Sequence, residues 1–414
     1  MTDQDHATPG PDTQRFQDAL DQTYQGVRGA LTEVLVSLDA DPTKPQDIAR
    51  RFGINKNLAW KISKIITVAE PHEIVSNMPG DTGMERVLRA FESGGASEAS
   101  VAAARSAINK FDRMVELHVD DRSTLQLVLS SDAPHKVPQE HLHATRKMAY
   151  QGNSAIWGIQ ARVRMASFFL APNANDPTRL DTASVGGLID VRRLRSDVSV
   201  PLFMRFAYND DGSVRTDASA KPICEADGLN NPLMLMREFC TSPDPAFKPI
   251  TRGDVTRYML SPGPIGNDGR QTWIFGEQVR DFASIYADEH NSVGEHAVPI
   301  QVPTEWLVCD LHVHRDLGFA MNPRPLLYSL VGAEVSPGED SEFDRLPIAE
   351  HIQSMGHSPP TVATPLMPRH SEVINHVYES LNWNANDFHG FRFVMRYPPM
   401  PCSVVLQHDL ASPN

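Results

Sequence analysis

The chain has 414 residues, is 41% hydrophobic and 22% charged, and carries a net charge of −14. Those proportions suit a globular protein with a sizeable core and room for two domains, and they exclude a disordered or fibrous chain. No run of eighteen apolar residues is present, so no membrane partner is expected, and the acidic start MTDQDHATPGPD has no apolar stretch of a secretory signal.

Residues 1–11 read as an unstructured lead. From Thr13 to Leu38, the residues Phe16, Leu20, Tyr24, Val27, Leu31, Val34, Leu35 and Leu38 recur at three- and four-residue intervals, which predicts one long amphipathic helix. Its stripe needs a cover, and both the later helices and a second subunit can supply one.

The stretch from Thr43 to Ala69 reads as two short helices about a tight turn. Thr43 and Gln46 have capping-box spacing, and Pro45 sits in the first turn, where its missing N–H costs little. The first helix is expected over Gln46 to Phe52, and Gly53 can supply a left-handed C-terminus. Asn55 caps the second, whose apolar face is Leu58, Ile62, Ile65, Ile66 and Ala69. Its other face carries Lys56, Asn57, Trp60, Lys61, Lys64 and Thr67. Within the stretch Lys44, Arg50, Arg51, Lys56, Lys61 and Lys64 oppose Asp47 alone, a local +5 on a chain of −14. Such an island is what a helix needs to approach phosphates.

Ala49 and Gly53 at this spacing, with apolar Ile62 nine residues after the glycine, resemble the helix-turn-helix of bacterial transcription regulators. The resemblance implies that the second helix enters the major groove of duplex DNA while the first crosses the backbone. The same small residues also serve tight packing in any helical corner, so a corner without DNA stays an alternative.

Glu70-Pro71 and Met78-Pro79-Gly80 mark breaks. A helix through Met84, Val87, Leu88 and Phe91 ends at Gly94-Gly95, and Ser97 starts another through Val101, Ala104, Ile108, Phe111 and Val115. No pair of strands follows the second short helix, so no β-wing is expected. Asp132 to Val137 reads as a linker. After a helix through Leu142 and Met148 the period changes to two: Ala155, Trp157, Ile159, Ala161, Val163 and Met165 alternate with polar residues, predicting a long half-buried strand.

Further strands are expected at Val198–Tyr208, closed by a turn over Asn209–Gly212, and at Thr272–Tyr286, Trp306–Leu317, Leu326–Val335 and Phe391–Leu406. Helices are expected at Leu233–Cys240 and Ser371–Leu381, with exposed loops at Leu260–Arg270 and Ser336–Asp344. The predicted fold is therefore multi-domain. An all-α N-terminal domain (1–131) contains the helix-turn-helix at 43–69, and an α+β domain (138–414) has a largely antiparallel sheet.

The run Asp310-Leu-His312-Val-His314-Arg-Asp316 places two imidazoles and two carboxylates at strand spacing on one face, with Cys309, Leu311, Val313 and Leu317 on the other. Two such histidines can ligate a metal, with Asp310 completing or orienting the set, and a third ligand would come from His290, His296, His351 or His357. A polar face without metal is the competing reading. His141 and His143 fall on a helix, diverge by roughly 200°, and with His135 read as solvated surface. Arg192-Arg193-Leu194-Arg195 reads as a solvated turn or strand end, with pairing to acidic neighbours or a second subunit as the alternative. The four cysteines, Cys224, Cys240, Cys309 and Cys402, lie far apart and read as reduced thiols in the cytoplasm. Glycine-rich segments at Gly186-Gly187 and Gly263–Gly269 lack the setting of a phosphate loop.

Together these features favour a cytoplasmic DNA-binding regulator. The contacts fall to Lys44, Arg50, Arg51, Lys56, Asn57, Trp60, Lys61 and Lys64. The protein is expected to read duplex DNA as a homodimer, and its C-terminal domain to serve assembly or small-molecule sensing. No cofactor is assigned. The alternatives are a metal-dependent enzyme built on Asp310, His312 and His314, and an assembly protein without catalysis.

Overall fold

The computed structural model describes residues 11–67, 71–132, 139–198, 201–204, 207–208, 214–215, 220–223, 233–242, 247–252, 255–289, 291–331 and 344–413. The expected lead over 1–11 lies almost wholly outside the described residues. So do nearly all of the linker at Asp132–Val137, the turn at Asn209–Gly212 and most of Ser336–Asp344, together with His135, Cys224 and His290. The chain divides into two compact units, Met1–Val137 and Pro138–Asn414.

Among its described residues the first unit's elements are all helices: α1 Pro11–Ser37, α2 Pro45–Phe52, α3 Lys56–Thr67, α4 Pro71–Asn77, α5 Asp81–Ser93, α6 Glu98–Val119 and α7 Arg122–Asp132. The break expected after Glu70 contains α4, which Pro71 begins because proline suits a first helical turn. Ser97 caps α6, its hydroxyl accepting from the Ser100 N–H at 3.1 Å. The α1 stripe of Leu20, Tyr24, Val27, Leu31, Val34 and Leu35 is buried in one core with Ile62 and Ile65 of α3 and Val101, Ala104, Ile108 and Phe111 of α6. Its cover is thus the chain's own later helices.

The second unit opens with α8, Gln139–Trp157. Ala155 and Trp157, expected on a strand, end this helix instead; Gly158, at φ +69°, turns the chain into β1, Ile159–Pro172. The other strands are β2 Leu180–Arg193, β3 Pro201–Met204, β4 Ala207–Tyr208, β5 Val214–Arg215, β6 Lys221–Pro222, β7 Phe247–Arg252, β8 Val255–Leu260, β9 Gln271–Val279, β10 Val293–Ile300, β11 Thr304–His314, β12 Arg324–Ser329, β13 Gln353–His357, β14 Phe388–Arg396 and β15 Cys402–Asp409. One helix, α9 His370–Ser380, lies among them.

The main sheet has the order β13-β14-β11-β1-β2-β9-β6. Only the central pair β1 and β11 is parallel; every other pairing is antiparallel. One face packs on α9 through Val163, Met165, Phe169, Val308, Val373, Ile374 and Val377. The other packs on a smaller sheet, β10-β15-β12, through Leu170, Leu307, Leu311, Val298, Val404 and Leu406. β1 is therefore central and covered on both sides, not half-buried. Arg164 shows the consequence: it leans over the Phe275 ring and donates to the Met165 carbonyl at 2.7 Å. Gly186 makes room for that ring, since a Cβ there would run into Phe275.

Two further expectations are corrected. Phe391–Leu406 is two strands in different sheets, because Tyr397 takes a left-handed φ of +52° and the prolines after it cannot extend a ladder. Leu233–Cys240 holds only a single 3-10 turn, Arg237–Phe239.

Candidate functional site

Helices α2 and α3 meet across Gly53, whose φ of +63° and ψ of +25° are the left-handed values a side chain resists. The Asn55 carboxamide accepts from the Asn57 N–H at 2.7 Å, which caps α3 as its sequence implies. Thr43 does not cap α2. Its N–H and hydroxyl both donate to Asp41 Oδ1, at 2.9 and 2.7 Å, and Lys44 occupies the cap position without a side-chain bond. Ser63 ties the pair down by donating to the Pro42 carbonyl at 2.5 Å.

With Ala59, Ile62, Ile65 and Ile66 of α3 buried, Lys56 and Asn57 stand fully outward, Trp60 is 45% exposed, and Lys61 and Lys64 are half-exposed. The Lys64 ammonium sits 5.7 Å from the Trp60 ring centre, within cation–π reach. Four of the six nominated cations have local partners. Lys44 pairs with Asp41 at 3.5 Å, Arg50 with Asp47 at 2.6 Å, and Arg51 donates to the Asp39 carbonyl at 2.9 Å; Lys64 has its tryptophan. Lys56 and Lys61 make no ion pair among the described residues, so the least compensated charge lies on the outer side of α3.

The Asp310–Asp316 run is split by the structure. Asp310 and His312 are 0% exposed because α9 covers their face of β11. The strand ends at His314, so Asp316 lies in the following turn, exposed, 3.5 Å from His314 Nδ1. Of the four histidines expected to converge on this face, His290 lies outside the described residues and His296, His351 and His357 do not contact it; the partner is His370, at the start of α9. Its Nε2 donates to Asp310 Oδ2 at 2.7 Å, and Arg392 of β14 donates to both carboxylate oxygens at 2.7 Å. Arg392 also donates to the Val362 and Ala363 carbonyls, at 2.8 and 3.3 Å. His312 shares a 2.9 Å hydrogen bond between Nδ1 and the Tyr378 hydroxyl, while its ring stacks on Phe169 with centroids 4.4 Å apart.

The electrostatics follow from enclosure. Burial would raise the Asp310 carboxyl, but hydrogen bonds from Arg392 and His370 outweigh it and hold the group below the usual carboxylate range. Burial pushes the His312 imidazole down to about 4 and raises the Tyr378 hydroxyl. Asp310 thus has both oxygens engaged and a guanidinium beside it, a setting that repels a cation. These groups fasten α9 and β14 to the centre of the sheet. Asp310, His312 and His314 do not converge on an ion, and among the described residues no group of three or more His, Cys, Asp or Glu is arranged to hold one.

The other nominated groups resolve individually. His143 packs against the Tyr397 ring, centroids 5.2 Å apart, so it is not simply solvated. Arg193 is buried and donates to the Ser261 carbonyl at 2.5 Å, unlike the solvated strand end expected there. Cys240, Cys309 and Cys402 are free thiols; burial pushes Cys402 up to about 12 and Cys309 higher still. His370, Tyr378 and Arg392 escaped the sequence reading because 60, 66 and 82 residues separate members of the network. The only signal was Arg392, a single charge set among apolar residues along Phe391–Met395.

Among the described residues no helix is long and apolar enough to cross a membrane. No protein-family model matches the chain, and comparison with curated proteins gives no match either.

Proposed function

We propose that this protein is a cytoplasmic DNA-binding regulator of the helix-turn-helix kind, reading duplex DNA through α3. One observation carries the reading. On a chain of net charge −14, a short helix held by a left-handed glycine turn presents Lys56, Asn57, Trp60 and Lys61 on the side opposite its buried isoleucines. Lys56, Lys61, Lys64 and Arg51 would neutralise phosphates, and Asn57 and Trp60 stand where a helix in the major groove meets base edges.

A homodimer belongs to this reading because one helix pair offers little contact, and two-fold pairs read two half-sites. The α1 stripe and the face of β1 lend it no support, since both are covered within their own units. The Pro138–Asn414 unit is assigned assembly or the sensing of a small-molecule effector. Catalysis at Asp310 has no support in an enclosure where Asp310, His312 and His370 are at most 1% exposed.

The reading is tested by titrating duplex DNA with the full chain at stepped salt. Each phosphate neutralised contributes about −0.9 to the slope of log affinity against log salt. Four cations per copy predict a slope of about −4 for one copy and roughly −7 for a dimer on its paired site. A slope near zero, or no binding at low salt, refutes the proposal.

A further inference from the structure

His357, the last residue of β13, and His389 of β14 are directly opposed cross-strand partners. Their rings lie with centroids 4.8 Å apart and planes 30° from parallel, His357 exposed and His389 half-buried. Neither contacts a carboxylate or a cation among the described residues.

The hydrogen bonds around His357 favour one tautomer. The Ser358 hydroxyl donates to the Asn386 carbonyl at 3.1 Å, and His357 Nδ1 lies 3.2 Å from the same hydroxyl oxygen. A hydroxyl has one proton to give. With that proton on Asn386, the serine oxygen must accept, so Nδ1 carries the hydrogen and Nε2 keeps its lone pair. An Nδ1–H held by an oxygen with Nε2 left free is the arrangement that orients a histidine for metal binding. His389 has no hydrogen bond to either ring nitrogen among the described residues, so a second lone pair is available across the strand pair.

We infer that His357 and His389 form a two-imidazole site for a borderline divalent transition metal of the Zn2+, Ni2+ or Cu2+ type, with Ser358 positioning His357. Imidazole suits these ions, whereas Mg2+ and Ca2+ require oxygen donors. Metal–nitrogen bonds are about 2.0–2.1 Å long, so the two ligating nitrogens must come within about 4 Å of one another, a span of the same order as the 4.8 Å between the ring centroids. No third protein ligand stands by among the described residues, so water completes the coordination and the ion exchanges freely.

Another close histidine pair among the described residues is less suited. His296 and His408 stack at 5.4 Å between Phe168 and Phe319, and His408 is buried, so water could not complete an ion's shell there as it can beside the exposed His357. The inference is independent of the DNA reading.

The test is calorimetric titration of the full-length protein with Zn2+ near neutral pH, repeated with Cu2+ and read by electron paramagnetic resonance. The wild type should bind one ion at this site, with hyperfine structure from two nitrogens. His357→Gln and His389→Gln should each weaken binding at least tenfold and leave one nitrogen. Ser358→Ala should weaken it about tenfold with both nitrogens kept. His351→Gln, an exposed histidine six residues away, should change nothing. His357 lies at the surface, so its variant carries the test even if His389→Gln disturbs the sheet. Wild-type affinity in both histidine variants, or a wild type that takes up no Zn2+ at millimolar concentration, overturns the inference.

Discussion

Replacing Asp310 by Asn keeps the side chain's shape but removes the charge that holds Arg392 and His370, both of which donate to it at 2.7 Å. Removing one partner of a buried ion pair typically costs about 3–5 kcal/mol, because the other charge stays behind uncompensated. Arg392 retains the Val362 and Ala363 carbonyls, which places the loss near the lower end, about 3 kcal/mol. In a unit of this size that corresponds to a melting temperature lower by roughly 6–12 °C.

Urea unfolding followed by tryptophan fluorescence is a suitable assay, since Trp157, Trp273, Trp306 and Trp383 all lie in the second unit and only Trp60 in the first. Arg392→Met should be destabilising for the same reason. The double variant should cost less than the two single losses summed, because it strands no charge. A loss below about 1 kcal/mol for Asp310→Asn, or strict additivity in the double variant, would refute the argument that this network fastens α9 and β14 to the sheet.

Three further outcomes are expected. His312, buried and held at about 4, titrates below its unfolded value of roughly 6.5, so the unfolded chain binds the extra proton in between and stability falls as pH drops through that window. At pH 5 this amounts to about 2 kcal/mol relative to pH 7, and His312→Gln should reduce the measured drop by that amount; an equal drop in variant and wild type contradicts it. Asp310 acts lower still: its depressed value contributes stability above an unfolded pKa of about 3.9, lost as the pH falls through the folded value, so a further decline in acid should be missing in Asp310→Asn. In the first unit, Gly53→Ala forces a side chain into the left-handed turn and should cost about 1–2 kcal/mol by the helical circular dichroism signal, an effect that Gly53→Asn should lessen.

The helical half was legible because its signals are local. The α1 stripe, the Gly53 turn and the Ser97 cap each depend on residues within a turn or two of one another, and each lies where the spacing placed it. Thr43 failed as a cap because a nearer acceptor, Asp41, took both of its donors.

The sheets were legible only in part: β1, β9, β11 and β12 lie on expected stretches, whereas β2, β7, β8, β10 and β13 were not expected, and the order was not readable. Trp306–Leu317 pointed to β11, yet nothing in one sequence says that β1 runs beside it in parallel, or that α9 roofs its polar face. That roof decided the chemistry, since Asp310 and His312 read as one polar face with His314 and Asp316 until His370 and Tyr378 enclosed them. β2 was missed because its two glycines mimic a loop; they are there to admit the Phe275 and Ile274 side chains of β9.

The central claim is that α3 meets DNA through its outward basic face. Replacing Lys56, Lys61 and Lys64 together by Glu reverses three charges on that face while leaving Ala59, Ile62, Ile65 and Ile66 in the core. DNA affinity of the full-length triple variant, measured beside the wild type across a salt series, is the most direct test. The account predicts a helical variant of unchanged circular dichroism whose binding is abolished at salt concentrations where the wild type binds. Equal affinity and equal salt slope in the two proteins would contradict it.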